Sequence, residues 1–536
     1  MKKKKIKVEN IDHCGIVAGI IDEIGLVEKI DEKVGSGHVQ ELVSAGIAVK
    51  AMIINGLGFV SAPLYLFAKF YEEKGTEHLL GKGIKAEHLN DDKLGRVLDK
   101  LYEAGITEIF VEIALETMER LGVKREKLHL DSTSFKVEGE YEKEEGEEVG
   151  IEIVEGYSRD KRPDLKQYMF QMICSGDGDI PLYIRVGSGN ESDKKMFGEI
   201  IKEYRENWEV EGLWVADAEL YNEENIEKLG ETKWLSRVPS TIKGVKEIME
   251  SKAESEMKAT EKEGYRICSE RNNYGGVEQR WLVVESEKRK DSDKKEIEKK
   301  REAEEKKATA ELKKLSKEKF ACKVDAEKAG RELEKTWKYY EIEELEIEKK
   351  ANYGGTGRPK KGEKASSYYY QVTGKIKEKH GVREKEEKRA GRFILATNVL
   401  SEEELSDEEM LLEYKNQQSA ERGFRFLKDP LFFTSSVFLK TPKRIASLAM
   451  IMGLCLLVYS LGQRKLREAL ETTNKSVKNQ LGKLTKTPTL RWIFQCFQSI
   501  HLLTIDGEQE ITNLTKERKA ILHLLGPFCQ KYYLLL

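Results

Sequence analysis

An α/β fold of several domains is what this chain predicts, because three regions of different patterning follow one another along it. Apolar residues recur at helical spacing up to about residue 125, short apolar strands crowd residues 126–239, and a dense Lys/Glu block sits within 240–390. Strands that alternate with helical stretches build a sheet covered by helices rather than a sandwich. At 536 residues there is room for roughly two to four domains, each with its own core.

Taken in order, residues 1–125 predict a helical region: apolar periodicity runs through 39–70, and Asn90, Asp91 and Asp92 offer an N-cap for a helix over 94–101. Residues 128–135, LHLDSTSF, read as a strand. Hairpin-like runs follow at 151–157, 168–175 and 180–187, then a helix over 192–206 and a short apolar strand, LWVAD, ending at Asp217. In the charged block, 277–284 and 368–372 read as strands and 288–315 as a long solvated helix. Residues 393–398, FILATN, form another strand. Residues 445–462, IASLAMIMGLCLLVYSLG, carry no charge and sit at the short edge of a membrane-spanning length; basic residues on both flanks give no orientation, and a helix buried against the sheet is the expectation. Residues 463–536 are expected to be helical.

Composition excludes several classes. Seven cysteines, an odd number with no C-x-x-C pair, argue against a disulfide framework or a structural zinc site and fit a reducing cytoplasm. Met1 and the lysines after it are not followed by an apolar region, so no signal peptide is expected. No Walker A or His-Glu-x-x-His pattern is present, which disfavours NTPases and zinc peptidases. Lys+Arg 93 against Asp+Glu 96 leaves a net charge of −3, so any contact with nucleic acid rests on local patches. Arg159, Lys161 and Arg162 form the strongest basic cluster near the strand-rich region.

Three carboxylates point to chemistry. Asp131 lies inside a strand and Asp217 ends one, although aspartate is disfavoured in strands; a hard divalent cation, bound through carboxylate oxygens, supplies a reason. The third comes from residues 414–428, YKNQQSAERGFRFLK. At about 100° per residue, Tyr414, Gln417, Glu421 and Lys428 fall within about 60° of one another on one helix. Arg425 lies about 20° from Tyr414 by the same step and can supply a cation on that face. His129, two residues before Asp131, shares its face of the strand and reads as a satisfied core histidine. Asp407 is the rival carboxylate, but its acidic neighbourhood, SDEE, suits a helix N-terminus.

The 414–428 segment resembles the Tyr-x2-Arg-x3-Glu-x6-Lys signature of a group of insertion-sequence DDE transposases, with Gln417 where that signature has arginine. GYSRDKRPDLKQ at 156–167, GSGNESDK at 187–194, FILATN at 393–398 and FRFLKDP at 424–430 resemble that family's segments in the same order. The likeness runs from about residue 35 to near the C-terminus. It implies a ribonuclease H-like mixed sheet flanked by helices, split into 126–239 and 391–462 by an insertion domain at 240–390, after a helical N-terminal region that helps bind DNA ends.

It further implies an enzyme that cuts and joins DNA at the ends of its own element, with Asp131, Asp217 and Glu421 as catalytic residues and ligands of Mg²⁺, for which Mn²⁺ substitutes. Tyr414, Gln417, Arg425 and Lys428 are the expected DNA contacts on the glutamate helix, together with Arg159, Lys161 and Arg162. The partners expected are double-stranded DNA, both transposon ends and target, and a second copy of the chain in a synaptic homodimer, without a membrane. A metal-dependent nuclease that never joins strands, a non-catalytic DNA-binding relic and a membrane-associated helical protein built on 445–462 are the alternatives. GGTGRPKKG at 354–362 resembles a minor-groove arm, although Thr356 stands where the full motif has arginine and a flexible basic turn is the preferred reading.

Overall fold

The computed structural model describes residues 5–36, 41–59, 62–139, 141, 150–156, 162, 164–353, 364–429, 439 and 441–535. They form two compact units: Met1–Ser236 with Tyr274–Val277 and Leu412–Leu536, and Arg237–Asn273 with Glu278–Leu411.

The first unit begins with strand β1 (Ile6–Asn10) and helices α1 (Cys14–Glu23), α2 (Leu26–Lys33), α3 (Ala45–Gly56), α4 (Phe67–Glu72), α5 (Thr76–Leu80), α6 (Asp91–Glu103) and α7 (Ile106–Leu121). The expected cap is present, since the Asn90 side chain accepts from the backbone N–H of Lys93 at 2.9 Å, and α6 buries Leu94, Val97, Leu98 and Leu101 on one face. The region is not purely helical, because β1 is a strand.

The core sheet follows: β2 (Lys127–Val137), β3 (Lys166–Ser175), β4 (Pro181–Ser188), helix α8 (Asp193–Trp208), β5 (Leu213–Ala216), α9 (Glu223–Leu229) and β6 (Trp234–Arg237). Its strand order is β4-β3-β2-β5-β6. The first three strands pair antiparallel, and β5 and β6 continue parallel to β2. Three meandering strands extended by two parallel ones, each entered through a helix, make up the ribonuclease H-like arrangement. Nearly every side chain of β3 and all four of β5 are buried; β5 reads as an unbroken apolar run, whereas β3 also buries Gln167 and Gln171. The run at 151–157 does not form a strand over its described residues; it contributes a single bridge, Val154 to Gln167.

The second unit holds α10 (Val245–Ser251), β7 (Lys258–Ala259), β8 (Tyr265–Tyr274), β9 (Val277–Ser286), α11 (Glu287–Leu315), α12 (Lys323–Lys335), β10 (Tyr340–Asn352), β11 (Ser367–Glu378), α13 (Val382–Arg389), β12 (Arg392–Thr397) and the start of α14 (Asp407–Asn416). Its strands run β12-β9-β8-β7, beside a separate β10-β11 ribbon. The charged helix α11 buries little except Ala308, Leu312 and Leu315, which join Trp337, Tyr340 and Val372 in a small core. Glu285 and Arg392 are cross-strand partners and a buried ion pair at 2.9 Å. The strand expected over 393–398 is β12, which belongs to this unit.

The chain returns to the first unit for the rest of α14, then α15 (Gln418–Leu427), α16 (Pro442–Thr472), β13 (Val477–Lys478), β14 (Leu484–Thr485), α17 (Leu490–Cys496), β15 (His501–Ile505), β16 (Glu508–Thr512), α18 (Lys516–Leu525) and α19 (Pro527–Leu534). Helix α16 contains the uncharged 445–462 run, and 89% of its most apolar window lies inside the protein. It packs on α6, α7, α3 and β4, with Ser447 Oγ donating to the Leu98 carbonyl at 2.7 Å and Arg444 bound to Asp99 at 2.7 Å. Each fully buried leucine there contributes about 1.5–3 kcal/mol. Residues 463–536, expected as helices, also carry four short strands: β13 pairs with β14, and β15 lies between β1 and β16.

Candidate active site

Asp131 and Asp217 come from distant positions to adjacent strands. In the parallel β2–β5 pair Leu130 stands opposite Ala216, so the next residue of each strand is an aspartate, on strands about 4.8 Å apart. Asp131 is buried and accepts from the Ser132 N–H at 2.8 Å. Asp217 leaves the strand in a turn, with its carboxylate accepting the Glu219 N–H at 2.9 Å and its carbonyl accepting Ser236 Oγ of β6 at 2.7 Å. Such turn bonds are what a short acidic side chain provides, and they hold the Asp217 backbone at the sheet end.

Helix α15 lies over the same face of β2. The ring of Phe424 meets that of Phe170, the cross-strand partner of Thr133, at 6.3 Å and 82°, and the Lys428 ammonium sits 5.5 Å over Phe135. Gly423 approaches Met172, the cross-strand partner of Asp131, so closely that a Cβ there would stand 3.0 Å from its terminal methyl. Because side chains alternate along a strand, Asp131, Thr133 and Phe135 share one face. The contact sequence 423, 424, 428 therefore runs along β2 in the order 131, 133, 135, and Glu421 lies at the Asp131 end. Its side chain is exposed.

The segment 414–428 is not one helix. Helix α14 ends at Asn416 and α15 starts at Gln418, with Gln417 between them keeping helical angles (φ −54°, ψ −21°) and 8% exposed. The Gln417 side chain is buried at this joint. Tyr414 is half-buried, Arg425 is exposed and Lys428, half-buried at the end of α15, is drawn onto the Phe135 ring. Arg162 is exposed and paired with Asp164 at 2.6 Å, while Arg159, Lys161 and the 354–362 segment lie outside the described residues.

Among the described residues no group of three or more His, Cys, Asp and Glu side chains stands close enough to hold one ion. The Asp131–Asp217 pair has the donor chemistry and adjacency a hard cation needs, and Glu421 stands apart from it on the overlying helix.

Several supporting residues carry no signal of their own in the sequence. Glu413, 4% exposed, pairs with Lys127 at 2.6 Å and pins α14 to the start of β2. Arg422, next to Glu421, is bound to Asp179 at 2.8 Å. Gly156 and Gly189, from two of the family-like motifs, pack backbone to backbone: a Cβ on Gly156 would fall 2.0 Å from the Gly189 carbonyl oxygen, which also accepts the Gln167 amide at 2.7 Å. Only residues without Cβ fit that crossing. His129 is fully buried with neither ring nitrogen bonded, rather than satisfied as expected, and burial, with Lys127 and Arg422 nearby, pushes its pKa down to about 4.

A ribonuclease H-like sheet that sets Asp131, inside β2, beside Asp217, just past the end of the parallel strand β5, has the layout of a nucleic-acid-processing core. The chain belongs to the transposase DDE domain family, which matches residues 123–459. Members of that family cut and join DNA and depend on divalent metal. Residues 6–115 match a domain of unknown function, DUF4277. A cryo-EM structure of the piggyBac transposase synaptic complex with hairpin DNA aligns at a TM-score of 0.38 and 10% identity, over 99% of this chain and 84% of that one. No curated protein matches this chain.

Proposed function

We propose that Asp131, Asp217 and Glu421 form the catalytic site of a transposase that cuts and rejoins DNA at the ends of its own element, with Mg²⁺ as the working ion and Mn²⁺ as a substitute. The observation that carries this reading is the arrival of Asp131 and Asp217 at neighbouring positions of adjacent parallel strands, beneath the helix that bears Glu421.

Divalent ions held by these carboxylates would supply the activation of a water or 3′-hydroxyl and the charge that offsets the leaving oxygen of an in-line displacement. The chain's own groups do the rest. Asp131 and Asp217 are held by the sheet, so their separation is fixed before substrate arrives. Glu421 approaches from α15, and closing its distance to the aspartates belongs to the binding step. Arg425 and Lys428, on the same helix, offer positive charge to the phosphates of the cleaved strand, and the basic cluster Arg159, Lys161 and Arg162 offers more. DNA ends and target are the substrates, a synaptic homodimer is the working assembly, the N-terminal helices assist end binding, and the cytoplasm is the setting.

Incubating the protein with a pre-cut end and a target duplex tests this. Joined product is expected with Mg²⁺ and none with chelator or with Asp217→Asn. Cleavage of uncut ends without any joining would make the chain a nuclease of the same fold.

A further inference from the structure

One stretch of the first unit departs from the charge balance of the rest. Between Glu471 and Asp506 the sequence has no acidic residue, yet it carries Lys475, Lys478, Lys483, Lys486 and Arg491. The structure folds the first four lysines onto the hairpin of β13 and β14, where Val477 pairs with Thr485 and Lys478 with Leu484. The same hairpin displays two large apolar side chains to solvent: Leu484 is 71% exposed, and Leu481, at 80%, is the most exposed large hydrophobic residue among those described. Two leucines exposed together on one small hairpin make an apolar patch of the kind that marks a contact surface.

The hairpin is bonded at both its tip and its base. Asn479 closes the tip, its carboxamide oxygen accepting the N–H of Leu481 and of Lys483 at 3.0 Å each, while its carbonyl accepts the N–H of Gly482 at 2.9 Å. Gly482 sits at φ +73°, the left-handed region glycine favours, with no atom near its missing Cβ. At the base, Trp492 Nε1 donates to the Lys478 carbonyl at 2.7 Å. Lys478 and Lys486 have carboxylates at 3.9 and 3.3 Å, whereas Lys475 and Lys483 have no acidic partner among the described residues. The helix that follows is tied to the end of α15, since Arg491 pairs with Asp429 at 2.6 Å.

We propose that the β13–β14 hairpin is a second contact with double-stranded DNA, its lysines meeting backbone phosphates and Leu481 entering the minor groove as an apolar wedge. A basic frame around a protruding apolar residue is the chemistry that holds and locally unstacks a duplex. The tie between Arg491 and Asp429 puts the hairpin at the C-terminal end of α15, so a duplex engaged at the candidate site continues toward it. The inference rests on the reading that this chain acts on DNA.

The test measures binding of the full chain to a labelled duplex across a salt series, for the wild type, Lys475→Gln with Lys483→Gln, and Leu481→Ser with Leu484→Ser. All four side chains are exposed, so thermal unfolding is expected to be unchanged. The lysine pair should flatten the slope of log K against log salt by about 1.8, at about 0.9 per phosphate contact. The leucine pair should weaken binding with the slope kept, and should abolish any enhanced reactivity of bases at the contacted step. Wild-type affinity and slope in both variants would overturn the hairpin contact while leaving the catalytic reading standing. No duplex binding by the wild type would remove both. Wild-type adsorption to phosphatidylserine vesicles, lost in the leucine pair while its DNA binding stays intact, would assign the hairpin to lipid and overturn the proposal.

Discussion

Gly423 is where the seating of α15 on the sheet can be perturbed in steps. An ideal Cβ at this position lies 3.0 Å from Leu456 Cδ2 and 3.0 Å from Met172 Cε, both ends of flexible side chains. Gly423→Ala gains up to about 1 kcal/mol of helix propensity and asks two methyl groups to move a few tenths of an ångström, so stability should stay within about 1 kcal/mol of wild type. Gly423→Leu adds three further carbons to filled space, which costs about 1–3 kcal/mol. The simplest relief is for α15 to lift from β3, carrying Glu421 away from Asp131. A misplacement of about 1 Å in a catalytic group costs about 100-fold in rate, or about 2.7 kcal/mol of barrier. The assay pairs thermal unfolding with Mg²⁺-dependent cleavage of an end-containing duplex. Near-normal rates for alanine and a loss of about 100-fold or more for leucine, in a protein still folded and still binding DNA, are expected. A leucine variant that cleaves at the wild-type rate would refute the idea that α15 delivers the third carboxylate.

Other outcomes follow from the same contacts. Leu454, fully buried in α16, should cost about 3–5 kcal/mol as Leu454→Ala, and Leu454→Asp should unfold the first unit; recovery of the wild type in carbonate-washed membranes would contradict a core role. His13 is buried, its Nε2 2.7 Å from the Leu57 carbonyl, and burial first, with Lys74 nearby, lowers its pKa from 6.5 to about 4. A depressed folded pKa means its contribution is complete above pH 6.5 and is lost as pH falls toward 4, on the order of 3 kcal/mol; equal melting temperatures at pH 7 and pH 5 would count against it. Glu285, held below its usual range by Arg392 and Arg266 against the effect of burial, stabilises the second unit above the normal carboxylate pKa and loses that effect on acidification. Removing its charge with Glu285→Gln should cost about 3–5 kcal/mol, read by urea unfolding, because Arg392 would be left buried and unpaired.

Much of the core was legible because its signals are local. Hairpin-like runs marked β3 and β4, the short apolar LWVA marked β5, and Asn90 announced the start of α6. Asp131 and Asp217 stood out because each breaks a strand rule. The rest depends on contacts that no window contains. Strand β1 exists only because β15 pairs with it from the far end of the chain, and β1 alone shows exposed Ile6 and Val8. The joint at Gln417 interrupts a segment whose angular pattern is continuous, because the helical angles persist across it. Gly156 and Gly189 read as ordinary loop glycines until their backbones are seen to cross. The β13–β14 hairpin escaped because its strands are two residues long.

The most direct measurement compares Glu421→Gln with Asp407→Asn on the same DNA end in Mg²⁺. Asp407 pairs with buried Arg280 at 3.5 Å at the start of α14, so its amide variant should lose up to about 3 kcal/mol of stability and keep its cleavage chemistry. Glu421 is exposed on α15, so its variant should melt as the wild type does, bind DNA and cut nothing. An active Glu421→Gln beside an inactive but folded Asp407→Asn would place the third carboxylate elsewhere and contradict the site.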